Sequence, residues 1–154
     1  MAALKVSLMG EGGVGKSTIL SLLQKEALDG PRKPTIGVAV EKIDLGDNKV
    51  AVWDLAGQRR FQFMWDQFNQ GSSVTLLVTD STPANVLLTK DIYERHLRNS
   101  GAKVIAIANK QDLGNRMSPE DIQATLGVPT VGMVATNKMN EAAMRSMLEQ
   151  ALRQ

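Results

Sequence analysis

Apolar and polar positions along the 154 residues follow two alternating periods. Short, nearly continuous apolar runs read as buried strands, and between them lie segments whose apolar residues recur at helical spacing. Residues 4–9 form the first predicted strand. Residues 16–28 form the first helix, with Ile19, Leu20, Leu22, Leu23 and Leu28 on its apolar side. Residues 29–37 carry prolines and glycines and are predicted as loop. Residues 38–45 and 49–53 flank Gly46-Asp47-Asn48, a turn that predicts an antiparallel hairpin. A mobile loop leading into a short helix is expected over 57–70, a strand at 74–80, and a helix at 84–98. Residues 103–109 suit a central parallel strand, because Val104, Ile105, Ala106 and Ile107 run almost without a polar break. Ser118-Pro119-Glu120-Asp121 opens a helix that should stop at Gly127. Residues 130–135 make the last strand, and Asn140 is expected to cap a final helix reaching about residue 153.

Strands alternating with helices predict an α/β fold with a mostly parallel sheet. Repeats, low-complexity tracts and interior linkers are missing from the sequence, so residues 1–154 are expected to form one domain. Composition narrows the function only by exclusion. The apolar fraction of 43% and charged fraction of 22% are ordinary for a globular protein. With 18 basic against 16 acidic residues and no basic run, no nucleic-acid partner is expected. The chain has no cysteine, which excludes disulfides, thiolate metal sites, cysteine nucleophiles and a prenylated or palmitoylated tail. Met1-Ala2 offers no glycine for myristoylation, and no apolar run approaches the ~18 residues of a spanning helix. The expectation is a cytoplasmic monomer with no direct membrane anchor.

The chemistry starts at Gly10-Glu11-Gly12-Gly13-Val14-Gly15-Lys16-Ser17, a complete G-x-x-x-x-G-K-[ST] between a predicted strand and a predicted helix. In that setting the backbone N–H groups of Gly12, Gly13, Val14 and Gly15, and those of Lys16, Ser17 and Thr18 opening the helix, face phosphate oxygens. Lys16 is placed for the β- and γ-phosphates, and the Ser17 hydroxyl for Mg²⁺. Asn109-Lys110-Gln111-Asp112 follows the fifth strand at its carboxyl end. A carboxylate there accepts two hydrogen bonds from guanine N1–H and N2–H₂, which adenine cannot offer. Asn109 meets the N7 side, and the aliphatic stem of Lys110 covers the base plane. Ala135 and Thr136 in Val134-Ala135-Thr136-Asn137 are a third candidate contact, with the Ala135 N–H facing guanine O6.

Trp53-Asp54-Leu55-Ala56-Gly57-Gln58 ends the third strand. Asp54 is a candidate Mg²⁺ holder, Gly57 lets backbone approach the γ-phosphate, and Gln58 can orient the attacking water. Thr35 can give a hydroxyl to the same metal when the third phosphate is present. Two loops tied to one phosphate make an order–disorder switch.

GEGGVGKS, PTIG, WDLAGQ, NKQD and VATN stand in an order and spacing that resembles the Ras superfamily of small GTPases, over essentially the whole chain. Within it, NKQD, the Thr35-Ile36-Gly37 triplet and residues 115–127 look most like the Arf-related branch, whereas Ala56-Gly57 looks more like Ras and Rab proteins. The resemblance implies a P-loop NTPase fold, a six-stranded mostly parallel sheet with one antiparallel edge strand, flanked by about five helices. It also implies a GTP/GDP switch with Mg²⁺, slow hydrolysis, and movement of loops 29–37 and 56–70. Effectors, an exchange factor and a GTPase-activating protein are then expected on the switch surfaces, around Ile36, Phe61, Phe63, Trp65 and Phe68. Two departures stand out. Leu28 replaces an aromatic that often packs on the base, and Val134 replaces a small polar residue.

Arg32 lies three residues before Thr35, a spacing seen in heterotrimeric G-protein α-subunits, where the arginine reaches the transferring phosphoryl group. It is therefore a candidate internal arginine finger, against the plainer reading of a solvated basic residue. A GTP-dependent scaffold with little hydrolysis and an ATP-dependent P-loop kinase are the competing functions. Intact Thr35, Gly57 and Gln58 argue against the first, and Asp112 against the second. His96 reads as an ordinary surface or packing residue, and the late methionines as core filling.

Overall fold

The computed structural model describes residues 4–23, 38–45, 48–57, 59–134 and 140–153, with residues 59–61 described in backbone alone. Six strands run β1 (Leu4–Met9), β2 (Val38–Leu45), β3 (Asn48–Leu55), β4 (Val74–Thr79), β5 (Lys103–Ala108) and β6 (Thr130–Gly132). They join in one sheet of order β2-β3-β1-β4-β5-β6. Only β2 with β3 is antiparallel, and β2 lies at the edge. The described α-helices are α1 (Lys16–Leu23), α2 (Trp65–Asn69), α3 (Pro83–Ile92), α4 (Pro119–Leu126) and α5 (Glu141–Leu152).

Alternation along the strands builds a core on each face of the sheet, as strands covered on both sides require. Val6 and Leu8 of β1, Leu76 and Val78 of β4, and Ile105 and Ile107 of β5 meet Ile19, Leu22 and Leu23 of α1 and Met144 and Leu148 of α5. On the other face Met9, Leu77, Ala106 and Ala108 meet Trp65, Val86 and Ile92, with Ile122 and Leu126 of α4. Parallel register aligns the carboxyl ends, with Leu8 opposite Asp54, Met9 opposite Leu77, and Thr79 opposite Ala108. From β1 the chain passes through α1 to fill one side of the sheet with β2 and β3, then crosses to the other side for β4, β5 and β6, so the loop after β1 opens at a topological switch point.

Local chemistry accounts for the element ends. Ser118 Oγ accepts from Asp121 N–H at 3.1 Å, Pro119 occupies the first turn of α4, and Gly127 closes it at φ 79°. The predicted helix at 84–98 is reached differently. It begins at Pro83 under a Thr82 cap, and after Ile92 widens into a π-helical turn over Tyr93–Leu97, with Arg98 N–H donated to Tyr93 O at 2.9 Å. The last strand is shorter than 130–135. After Gly132 the backbone turns so that Met133 O accepts from Gln111 N–H. Asn140 precedes α5 without capping it; its Oδ1 accepts instead from Val134 N–H at 3.5 Å. The helix expected over 16–28 is described through Leu23, and residues 24–28 lie outside the described residues.

Trp65 corrects the expectation of an exposed aromatic cluster after β3. It opens α2 with 1% of its surface exposed, donates Nε1–H to Ala56 O at 3.0 Å, and packs edge-on against His96. His96 in turn hydrogen-bonds Asp66 Oδ1 at 2.8 Å, in keeping with its reading as a packing residue. The ring is therefore core, and its polar edge is matched to the strand end below it. Trp65→Phe is expected to leave the Ala56 carbonyl unpaired beside a small void. The cost is about 2 kcal/mol, a fall of roughly 4–8 °C in Tm for a domain of this size. An unchanged melting temperature by circular dichroism would contradict that account.

Candidate functional site

The loop between β1 and α1 is held from two sides. Gly15 has φ 103°, and a Cβ there would run into the Asn109 side-chain amide; the same amide donates to Val14 O at 2.9 Å. Lys110, itself at φ 59°, reaches back to donate Nζ–H to Gly13 O at 2.8 Å. The first two residues of the N-K-x-D segment thus tie the end of β5 to the phosphate loop. Ser81, at φ 72°, braces that segment from behind. It donates Oγ–H to Asn109 O at 2.6 Å and accepts from Gln111 Nε2 at 2.8 Å, and Gln111 also donates to Met117 O. Neither Ser81 nor Gln111 was singled out in the sequence. Their roles depend on a turn conformation that the residue types alone do not announce.

Between these ties lies a cavity of about 230 Å³ lined by Gly15, Thr18, Asn109, Lys110, Asp112, Leu113 and Val134. It brings together Asn109, Lys110 and Asp112 of the candidate base-reading residues and adds Leu113, an apolar wall that the sequence reading missed. Val134, noted as a departure, forms part of the same wall.

Lys16 starts α1 and is 8% exposed. Burial lowers its pKa below the usual 10.5, and the negative charges of Asp54 and Glu11 act in the opposite direction. Asp54, at the carboxyl end of β3, is 1% exposed. Its negative charge is felt at Lys16. Ser17 follows Lys16 at half-buried depth.

Gly57 sits directly against the phosphate loop. A Cβ there would strike Gly10 O and lie 2.7 Å from both Glu11 C and Gly12 N. The sequence reading has this glycine approach the γ-phosphate; the close contact in the structure is with the loop backbone. Beyond it, residues Arg59–Met64 form a 3₁₀ turn leading into α2. Gln62 Nε2 donates to Gly57 O at 3.1 Å and to Glu11 Oε1 at 3.3 Å.

Residues 2–153 match the model of the ADP-ribosylation factor family. The chain belongs to that family. It is 29% identical over 132 residues to ADP-ribosylation factor-like protein 5 of Caenorhabditis elegans, covering 82% of this chain and 73% of that protein. It is 32% identical over 142 residues to ADP-ribosylation factor F of Dictyostelium discoideum, covering 88% and 72%. Ras-related protein RABA6a of Arabidopsis thaliana is 34% identical over 124 residues, covering 76% of this chain and 53% of that protein. This ADP-ribosylation factor family member is thus a GTP-binding GTPase of the regulatory-switch type, and the six-stranded sheet with its single antiparallel edge strand is the P-loop α/β fold expected of it.

Among the family member's candidate residues, Gly12, Gly13, Val14, Gly15, Lys16, Ser17, Thr18, Asp54, Gly57, Asn109, Lys110 and Asp112 are described. Arg32, Thr35, Ile36, Gln58, Ala135 and Thr136 lie outside the described residues, as does the Phe61 side chain. Phe63 is 80% exposed. Phe68 is half-buried, 5.9 Å from Trp53 between ring centres. Lys5 Nζ lies over the Trp53 ring at 4.1 Å and donates to Phe68 O and Gln70 O, which pins the end of α2 to β1 and β3. Three or more His, Cys, Asp or Glu side chains do not gather at any point among the described residues, and none of the described helices is long and apolar enough to cross a membrane.

Proposed function

We propose that this GTPase binds GTP and GDP with Mg²⁺, hydrolyses GTP slowly, and uses loops 29–37 and 56–70 to report the third phosphate to partners. The observation that carries the reading is a pair of features at the end of the phosphate loop: a cleft lined by Gly15, Asn109, Lys110 and Asp112, and, one residue on, the buried Lys16. A single ligand with polyanionic and planar ends answers both. Asp112 reads guanine through its carboxylate, Asn109 and Lys110 hold the base walls, and Ala135 and Thr136 face the O6 edge. Lys16 and the loop N–H groups take the phosphates.

A buried carboxylate at Asp54 and the hydroxyls of Ser17 and Thr35 suit a hard cation that keeps most of its ligands as water and phosphate oxygen. Bound there, Mg²⁺ would neutralise charge on the β- and γ-phosphates. In the reaction the water oxygen bonds to the γ-phosphorus as the bond to the β–γ bridging oxygen breaks. The electron pair leaves on GDP, and the water proton ends on the phosphate product. Gln58 orients that water, and Gly57 and Thr35 sense the γ-phosphate. Effectors, an exchange factor and an activating protein dock over the exposed part of the switch region, with Phe63, Ile36, Phe61 and the rim of Phe68 as contacts. The protein acts as a cytoplasmic monomer of one G domain.

Single-turnover hydrolysis of preloaded GTP, beside Arg32→Ala, tests this. A rate near ~10⁻⁴ s⁻¹ that the substitution leaves alone is expected for a switch that waits for an activating protein. A rate nearer ~10⁻² s⁻¹ that falls tenfold or more in the variant makes Arg32 an internal finger. Tight GTP binding without turnover would overturn the hydrolysis reading and leave a scaffold.

A further inference from the structure

We infer that Gln62 is a positioning residue for GTP hydrolysis, held by Glu11 of the phosphate loop and acting on Gln58 through the Gly57–Gln58 peptide. The inference rests on the reading of Gln58 as the residue that orients the attacking water.

Two hydrogen bonds carry it. The Gln62 amide has two N–H groups and, in this structure, two acceptors: Gly57 O at 3.1 Å and Glu11 Oε1 at 3.3 Å. The Gly57 carbonyl belongs to the same planar unit as the Gln58 N–H. Fixing the oxygen therefore fixes the plane from which Gln58 departs. Such a restraint matters most just after a glycine, whose φ and ψ are the least limited by its own side chain. Gly57 also abuts the Gly10–Gly12 backbone, where no Cβ fits. Gly57 is thus in contact with the phosphate loop through its α-carbon and with an amide from the turn before α2 through its carbonyl.

Glu11 explains why that amide stays in place. A glutamine side chain at a half-buried position has three torsions and loses rotamer entropy when fixed. A charged acceptor offsets that loss better than a neutral one. A carboxylate inside a phosphate-binding loop otherwise opposes the loop's purpose, because it repels the polyanion, and its charge is felt at Lys16. Aimed at Gln62, it serves a second purpose. It couples the loop that grips the nucleotide to the segment that must be ordered for attack.

The test uses the full chain and separates chemistry from binding. Gln62→Ala is expected to slow single-turnover GTP hydrolysis by about tenfold or more, as small displacements of an orienting group do. Release rates of fluorescent GDP and GTP analogues and the melting temperature should stay near wild type. Glu11→Ala should lose part of the rate, and Glu11→Gln, which keeps an acceptor for the same N–H, should recover most of that loss. A purely structural role would instead lower the melting temperature or speed nucleotide release along with the rate. Gln58→Leu supplies the background that distinguishes the two claims. If Gln58→Leu is slow and adding Gln62→Ala slows it no further, the two act as one unit. If Gln58→Leu is slow but Gln62→Ala alone hydrolyses at the wild-type rate, the inference is wrong and the reading of Gln58 stands. If Gln58→Leu itself runs at the wild-type rate, both fall. Should Gln62→Ala fail to fold, Gln62→Glu, which cannot donate to either oxygen when ionised, replaces it with the same expectations.

Discussion

Lys16→Met is expected to lower GTP affinity by at least about 10²–10³-fold, the range found when one partner of a desolvated charge pair is removed. The argument begins with burial. Lys16 is 8% exposed and pays a desolvation cost that Asp54 and Glu11 only partly offset, so its pKa lies below 10.5. A triphosphate supplies the anions that this ammonium lacks. Binding GTP therefore raises the Lys16 pKa again, and wild-type affinity should fall as pH rises through the depressed value of the free protein. The nucleotide-free fold responds in the opposite sense. Between the depressed value and 10.5 the unfolded chain holds more protons than the folded one, so this group contributes increasing stability as pH climbs through that window. Titration with a fluorescent GTP analogue, with the melting curve of the variant as a control for folding, checks the first expectation. Affinity within a few-fold of wild type would remove Lys16 from the phosphate site.

Asp112→Asn is expected to change which base is held. Asp112 lines the cavity whose other walls are Gly15, Thr18, Asn109, Lys110, Leu113 and Val134, and it is the acidic side chain among them. Two hydrogen bonds from guanine to one carboxylate are worth about 3–6 kcal/mol together, so their loss should weaken GTP by roughly 10²–10⁴-fold. An amide at the same place presents a donor, which suits a base with an oxo group at the 2-position. Xanthosine triphosphate should accordingly gain on GTP in the variant. Competition binding of the two nucleotides measures the crossover, and an unchanged preference for GTP would place the base elsewhere.

Both predictions concern residues whose importance could be read before any fold was known. G-x-x-x-x-G-K-S and N-K-x-D are legible because each is a contiguous segment in which backbone conformation and side-chain type suit one proposed ligand. The strands were legible for a similar reason. Val6, Leu8, Leu76, Val78, Ile105 and Ile107 all turn to one core, and residues buried on both faces leave an almost unbroken apolar run. Failures came where a residue's surroundings are set by distant parts of the chain. Trp65 looked like one of several rings too many for a short helix to hide, yet the end of β3 provides both a cavity floor and a carbonyl for its N–H. Asn140 had the composition of a cap, but the turn after β6 takes its side chain.

The sequence by itself determined the sheet, its helices and the two candidate ligand-reading segments, because periodic burial and local motifs depend on neighbours a few residues apart. It also gave Gly57 a reason to be a glycine, approach to the γ-phosphate, which does not involve the loop's own backbone. Only the tertiary structure decided that Gly57 meets the backbone of Gly10–Gly12, that Asn109 and Lys110 tie themselves to Val14 and Gly13, and that Gln62 bridges Glu11 and Gly57. Those contacts span from five to almost a hundred positions along the chain. They exist because parallel register brings the carboxyl ends of β1, β3 and β5 to one edge, where loops with no common local pattern must satisfy one another's polar groups.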